Sequence, residues 1–438
     1  MKNMKKMIFL LSSILILSFA AAPAWPGGNL LIKNGTILTV TKGVIPGGDI
    51  LIMGGIIKQI GENIQPPPGV QVIDASGKFV LPGIIDSHTH IALSGTNETG
   101  DVITAEVDMA DVLDAEDMSI FTALSGGVTM IHTLHGSANP IGGRNVTLKL
   151  KRGRPSEELI VPQAYHTLKF ALGENPKQAN RMGTTGPPRY PVSRMGVNAI
   201  IRRELLRARS YINQWDRYNE AVKSKNPPKT LLPPRRDLRL EALTELLRGN
   251  LVARCHSYRA DETLEFINLS KEFGFKIACF EHIPEAYKIA PELAREGIGI
   301  SIFLDNWAYK VEAAEGIAPM AAYCAQNGIL VSINSDGAER TRRLFNDAAK
   351  AIKYGGLSEE EALKLVTLNP AIQLGVEKIA GSLDIGKHGD VAIFNEHPLS
   401  AYTRCEMTII EGEVYFDRGE YLKEREEAAK QQKEPKKG

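Results

Sequence analysis

Neither sign of charge is in surplus: 52 lysines and arginines face 51 aspartates and glutamates, a formal charge of +1 over 438 residues. The chain therefore has no electrostatic grip on nucleic acid, which needs a basic face or stripe. Cysteine is scarce too, with four in all. Cys255 and Cys279 fall in short apolar runs that read as buried strands, Cys324 in a helical pattern and Cys405 near the C-terminal end. That scatter is not a disulfide framework, and free, buried thiols are expected. Internal repeats are absent. Beyond the first two dozen residues no apolar run approaches the roughly 20 residues a membrane span needs. What is plentiful is ordinary: 43% hydrophobic and 24% charged residues exclude a disordered or collagen-like chain.

The first 24 residues differ. Lys2, Lys5 and Lys6 precede an apolar run over 7–20 and the small-residue stretch Ala20, Ala21, Ala22, Pro23, Ala24. This is the pattern of a secretory signal peptide cleaved near Ala24. Export to the periplasm or the extracellular space is expected, leaving a mature chain without a membrane span.

Short strand-like runs at 30–33, 36–41, 49–53 and 56–60 are punctuated by Asn34-Gly35, Gly47-Gly48 and Gly54-Gly55. The same texture returns only at 390–394 and 407–416. Neither end has enough strands to bury a face alone. Segments 29–79 and 381–423 are therefore expected to form one composite β-sandwich, with a second domain over 80–380 inserted between them. In that domain strand-like runs alternate with helical stretches, as in a parallel α/β architecture. The runs are 79–91, 128–134, 160–170, 251–258, 275–283, 298–304 and 329–334, and 145–150 is either another strand or part of a hairpin. Counting it makes eight. The expected fold class is α/β, a (β/α)8 TIM-type barrel carrying the small β-sandwich formed by the N- and C-terminal segments. An insertion at 173–237, rich in proline around a helical segment at 195–222, is either a lid or substrate wall, or else a surface excursion or homo-oligomer contact. The charged tail at 424–438 reads as frayed helix or disorder.

The chemistry concentrates in Leu81-Pro82-Gly83-Ile84-Ile85-Asp86-Ser87-His88-Thr89-His90. On a strand His88 and His90 project from one face, so both imidazoles can reach one cation, and Asp86 shares that face. His256, His282 and Asp336 each end an apolar run, at the rim where barrel enzymes build their sites. Four imidazoles and a carboxylate suit Zn²⁺ or a similar divalent metal.

These residues resemble the metal-dependent amidohydrolase superfamily, particularly its imidazolonepropionase-like branch. The resemblance covers nearly the whole mature chain. It rests on the segment through His90, on His256-Ser257-Tyr258-Arg259-Ala260-Asp261, on Glu281-His282, on Asn334-Ser335-Asp336, and on Gly386-Lys387-His388-Gly389-Asp390. It implies that His88 and His90 bind a buried metal and that Asp336 ligates it and acts as general base. His256 and His282 would bind a second metal, or hold the first metal and the attacking water. Two-metal members need a bridging acid, here a carboxylated Lys169 or, alternatively, Glu174. One or two divalent ions are implied, zinc first, with iron or manganese as alternatives.

The expected reaction is attack of metal-activated hydroxide on a C–N bond of a small cyclic amide or dipeptide-like substrate, with Asp336 moving the proton to the leaving nitrogen. For substrate binding, Arg259 is set either to pair with a substrate carboxylate or to form a salt bridge with Asp261 or Glu262. His135 and Asn139 lie in a polar loop at the same rim, and Gly142-Gly143-Arg144 adds backbone donors and a cation. Related deaminases commonly carry glutamate where Arg259 stands, which favours amide hydrolysis. A deaminase, an ester hydrolase or a non-catalytic binding protein are the alternatives. His132, His166, His388 and His397 are given no role.

Overall fold

The computed structural model describes residues 27–178 and 189–433; the leader expected at 1–24 lies outside them, as do part of the insertion and the last five residues of the tail. Sixteen strands are described. The N-terminal segment supplies β1 (Leu30–Leu38), β2 (Val44–Met53), β3 (Ile56–Gly61), β4 (Gln71–Asp74) and β5 (Phe79–Pro82). The middle supplies β6 (Ile84–Thr89), β7 (Val128–Thr133), β8 (Ile141–Lys149), β9 (Thr167–Ala171), β10 (Val252–Ser257), β11 (Ile277–His282), β12 (Gly299–Ile302) and β13 (Val331–Ile333). Near the C-terminus come β14 (Val391–Phe394), β15 (Cys405–Ile410) and β16 (Glu413–Asp417).

Strands from the two ends of the chain share one sheet, in the order β16-β15-β14-β5-β1-β2-β3, with β4 also pairing to β1. The expected break at Asn34-Gly35 is a bend within β1 rather than a turn between strands. Residues 30–33 pair with β4 and residues 36–37 with β5. Asn34, at φ +62°, takes the left-handed conformation that asparagine tolerates, and its amide donates to Asp49 Oδ1. The split sheet encloses an aliphatic core that includes Leu30, Ile32, Ile50, Ile52, Val391 and Ile393.

The run expected at 79–91 is two strands in two sheets. β5 pairs with β1 and β14, whereas β6 opens the barrel. Gly83 stands at the junction because there is no room for a side chain: a Cβ there would lie 2.1 Å from Thr129 Oγ1.

The middle strands form a second sheet, a TIM-type barrel in the order β6 through β13. β9 through β13 run parallel, as do β6 and β7. β8 is the exception: it runs antiparallel to β7 and to β9. The segment expected at 145–150 is thus the far end of a longer hairpin strand. Its reversal brings Gly142, Gly143 and Arg144 to the rim where its neighbours end. The sheet's two end strands meet through the Ser87 hydroxyl of β6, 2.9 Å from Ser332 Oγ of β13, and the same hydroxyl is 2.8 Å from Ser301 Oγ of β12. The Asp336 amide also donates to the His88 carbonyl at 3.1 Å.

Within the insertion, the helix Arg194–Lys223 is capped by Ser193, whose hydroxyl accepts from the Gly196 amide. It buries Val197, Ile200, Ile201, Leu205 and Ala208 in the same core as the barrel strands, packing against the helices Leu238–Leu247 and Ala260–Phe273. The tail is helical as far as it is described, over Arg418–Lys433. All four cysteines are free and buried. Among the described residues no helix is long and apolar enough to cross a membrane.

Candidate metal centre

β6 is buried along its whole length and delivers His88 and His90 to the barrel mouth with their Nε2 atoms 3.4 Å apart. The Nδ1 of His90 sits 2.8 Å from the Leu134 carbonyl, so it carries the proton and Nε2 is left with a lone pair. The Nδ1 of His88 is 3.0 Å from a Glu281 carboxylate oxygen, a contact within ion-pair distance. Asp336 Oδ1 closes the group, 3.4 Å from His88 Nε2, 3.2 Å from His90 Nε2 and 3.8 Å from His282 Nε2. His88, His282 and Asp336 each offer one ligand atom, all within 4.8 Å of one another. His282 and Asp336 reach this point through left-handed backbone, at φ +73° and +56°. That conformation is costly for a non-glycine residue and collects at functional sites.

His256 comes from the end of β10, its ring 4.9 Å from that of His282. Lys169, from the middle of β9, is fully buried with Nζ 3.4 Å from His88 Nε2. Glu174, the alternative bridging acid, has its carboxylate 3.7 Å from Lys310, and its amide donates to Glu312.

The charges follow from these positions. Burial holds His88 and His256 well below the ordinary imidazole range and brings His282 down to about 4, so all three are neutral and available as ligands. Burial also lowers Lys169 to about 8, although Glu281 and Asp336 oppose the shift. For Asp336 burial acts upward, but His282, His90 and His88 outweigh it and hold the carboxyl below its usual range. Asp86 is pushed up to about 7 by burial, moderated by Ser335 and Thr341, to which it is hydrogen-bonded.

The donor set fits a divalent cation. Three lone-pair-bearing atoms converge on one point. Both ring nitrogens of His256 and the Nδ1 of His282 are sealed from solvent without any hydrogen-bond partner, an arrangement that is costly unless something else satisfies them. A cavity of about 210 Å³ between the helices Arg194–Lys223 and Ala260–Phe273 is lined by none of these ligands.

The residues expected to bind substrate fare differently. Arg259 forks onto Asp261, Nε to Oδ1 at 3.0 Å and a terminal nitrogen to Oδ2 at 3.2 Å. Both nitrogens of His135 are engaged: Nδ1 donates to the Gly136 carbonyl and Nε2 accepts from the Glu98 amide. Burial lowers it to about 4, consistent with that neutral ring. Asn139 donates to Glu98 O and Thr104 Oγ1. This loop is therefore braced onto segment 97–104 rather than left free for a ligand. Arg144 lies at the rim, its amide bonded to the Val107 carbonyl. His132 is a core residue between the hydroxyls of Thr147 and Thr167.

Three features escape the sequence reading. Arg254 and Glu281 form a buried pair beneath the histidines. Phe303 stacks on the His282 ring at 4.5 Å. Tyr258 lies 4.8 Å from His256, ring to ring, and its hydroxyl bonds that of Tyr309. For Tyr258 a signal was present, since it stands two residues after His256, on the same side of an extended segment.

With this geometry in view, similarity to known proteins is informative. The model of the amidohydrolase family matches residues 241–415. The crystal structure of an amidohydrolase from Thermotoga maritima MSB8 is 33% identical and superposes with a TM-score of 0.80, covering 89% of this chain and 100% of that one. An amidohydrolase, tasK, of Hapsidospora irregularis is 30% identical over 372 residues, 79% of this chain; the match spans only 37% of that relative's length. The imidazolonepropionase of Thermoplasma acidophilum is 22% identical over 81% of this chain and 86% of its own.

Proposed function

We propose that this chain, a member of the amidohydrolase family, is a hydrolase of C–N bonds that cleaves or opens the amide of a small cyclic or dipeptide-like substrate at a divalent metal centre held by His88, His90, Lys169, His256, His282 and Asp336. The observation that carries the reading is the convergence of His88, His282 and Asp336 at the barrel mouth.

When bound, the cation would supply a hydroxide nucleophile at neutral pH and polarise the substrate carbonyl. The chain's own residues supply the rest. The neutral imidazoles present lone pairs toward a common point, with His88 and His90 oriented by Glu281 and the Leu134 carbonyl. Asp336, whose carboxyl is held below its usual range, accepts the nucleophile's proton on Oδ and returns it to the departing nitrogen, the base-then-acid role of a positioned carboxylate. Lys169, a desolvated amine near pKa 8, would be nucleophilic enough once deprotonated to add to dissolved carbon dioxide, releasing a proton, and so to offer carbamate oxygens as ligands at this centre. Phe303 and Tyr258 wall the mouth beside His282 and His256, giving an apolar flank against which the uncharged part of a substrate can lie.

The test is Asp336→Asn in metal-reconstituted protein, assayed on a panel of cyclic amides and N-acyl or dipeptide substrates with metal content measured in parallel. A protein that retains metal and loses about 100- to 10,000-fold in turnover is the expected result. Turnover equal to that of the wild type, or a wild type inactive on every amide, overturns the reading.

A further inference from the structure

Arg254 and Glu281 are fully buried, and their charged groups meet in the barrel interior, Arg254 Nε donating to Glu281 Oε1 at 2.7 Å. A terminal nitrogen of Arg254 also donates to the Ser87 carbonyl at 3.0 Å, tying the guanidinium to the residue before His88. Replacing such a pair with apolar side chains of similar volume is often neutral or stabilising, so fold stability alone does not account for it.

The second carboxylate oxygen of Glu281 supplies the other half of the argument. It lies 3.0 Å from His88 Nδ1, a contact within ion-pair distance, and both atoms are otherwise sealed from solvent without a hydrogen-bond partner, so each is left to be satisfied by the other. On the far side of the same ring, Nε2 is 3.4 Å from both His90 Nε2 and Asp336 Oδ1. One carboxylate thus spans a fixed cation and the rear of a candidate ligand.

We propose that Glu281 and Arg254 are positioning residues for His88. Glu281 holds the proton on Nδ1 and the ring plane in place, so that the Nε2 lone pair faces the metal position. Arg254 clamps Glu281 by its other oxygen and fixes the carboxylate plane. A histidine ligand whose remaining nitrogen is held by a carboxylate is a more basic and better oriented donor. This inference rests on the metal-centre reading of His88.

The experiment compares full-length wild type, the double variant Arg254→Met with Glu281→Leu, and His88→Asn. Each is stripped of metal and titrated with Zn²⁺ against a chromogenic chelator, and thermal unfolding is followed without metal. The expected result is that the apolar pair unfolds no lower than the wild type yet binds Zn²⁺ about 10- to 100-fold more weakly. If the apolar pair binds Zn²⁺ as tightly as the wild type while His88→Asn does not, the positioning role is overturned and the metal centre stands. If His88→Asn leaves Zn²⁺ binding unchanged, the metal-centre reading itself falls. Should the double variant fail to fold, Glu281→Gln, nearly the same shape without the charge, gives the same comparison, with weakened Zn²⁺ binding expected and unchanged binding contrary to the proposal.

Discussion

At the scale of single residues, the barrel mouth sorts like-looking side chains by what each already touches. Arg259 and Asp336 both stand at strand ends in the sequence. Asp336 is surrounded by three imidazoles, whereas Arg259 is half-exposed and satisfied by Asp261. Exposed pairs of that kind contribute roughly 0–1 kcal/mol. Arg259→Gln is therefore expected to leave kcat/KM on any amide substrate within about twofold of the wild type; a tenfold rise in KM would show that the guanidinium leaves Asp261 to grip the substrate. The ligand candidates were legible because metal chemistry restricts residue type and a strand restricts spacing. The pair beneath them was not. Nothing local marks Glu281 as the partner of a histidine 193 positions earlier, since that contact exists only once β6 and β11 lie across one barrel.

Elements were legible where hydrophobic period and turn chemistry are local, and misread where a neighbour decides. The long insertion helix was expected at 195–222 and runs Arg194–Lys223, because its apolar spacing and the Ser193 cap are local signals. The run at 79–91 gave no such notice of its division, since Gly83 breaks it for the sake of the side chain of Thr129 on the adjacent strand. Gly83→Ala is expected to destabilise the protein by about 1–3 kcal/mol, as overpacking does, and Thr129→Ala in the same chain to restore part of it, both read by denaturant unfolding. Equal stability of Gly83→Ala and wild type would mean that the junction yields without cost. β8 belongs here too. Its antiparallel course is a tertiary outcome, since an alternating apolar strand reads the same in either direction.

The whole molecule is two sheets joined by charge as well as by chain. Lys149 and Lys151, at and just after the end of β8, meet Asp390 and Glu411 of the composite sheet, with Lys149 Nζ 2.8 Å from Asp390, 3.0 Å from Glu411, and Lys151 Nζ 2.6 Å from Glu411. His388, given no catalytic role, joins the same group at 3.2 Å from Glu411. The motif Gly386-Lys387-His388-Gly389-Asp390 thus serves the seam between sheets rather than the reaction. Burial acts to raise the Glu411 carboxyl, but His388, Lys149 and Lys151 overcome it and hold the group below its ordinary 4.5. A group depressed in the folded state contributes stability above its unfolded pKa and loses it as pH falls through the folded one. Stability is accordingly expected to fall as pH drops below about 4.5, and Glu411→Gln, less stable at pH 7, to lose less over that interval in thermal unfolding measured from pH 7 downward. Parallel curves for the two proteins would exclude Glu411 as a source of the acid sensitivity. Period, residue type and strand-end position are local properties, and from the sequence alone they determined the α/β class, the union of the chain ends and the five histidine and aspartate candidates. Tertiary structure alone decided the direction of β8, the sheet to which 79–82 belongs, and which charges meet beneath His88, because each depends on a side chain or strand that is distant in sequence and adjacent only after folding.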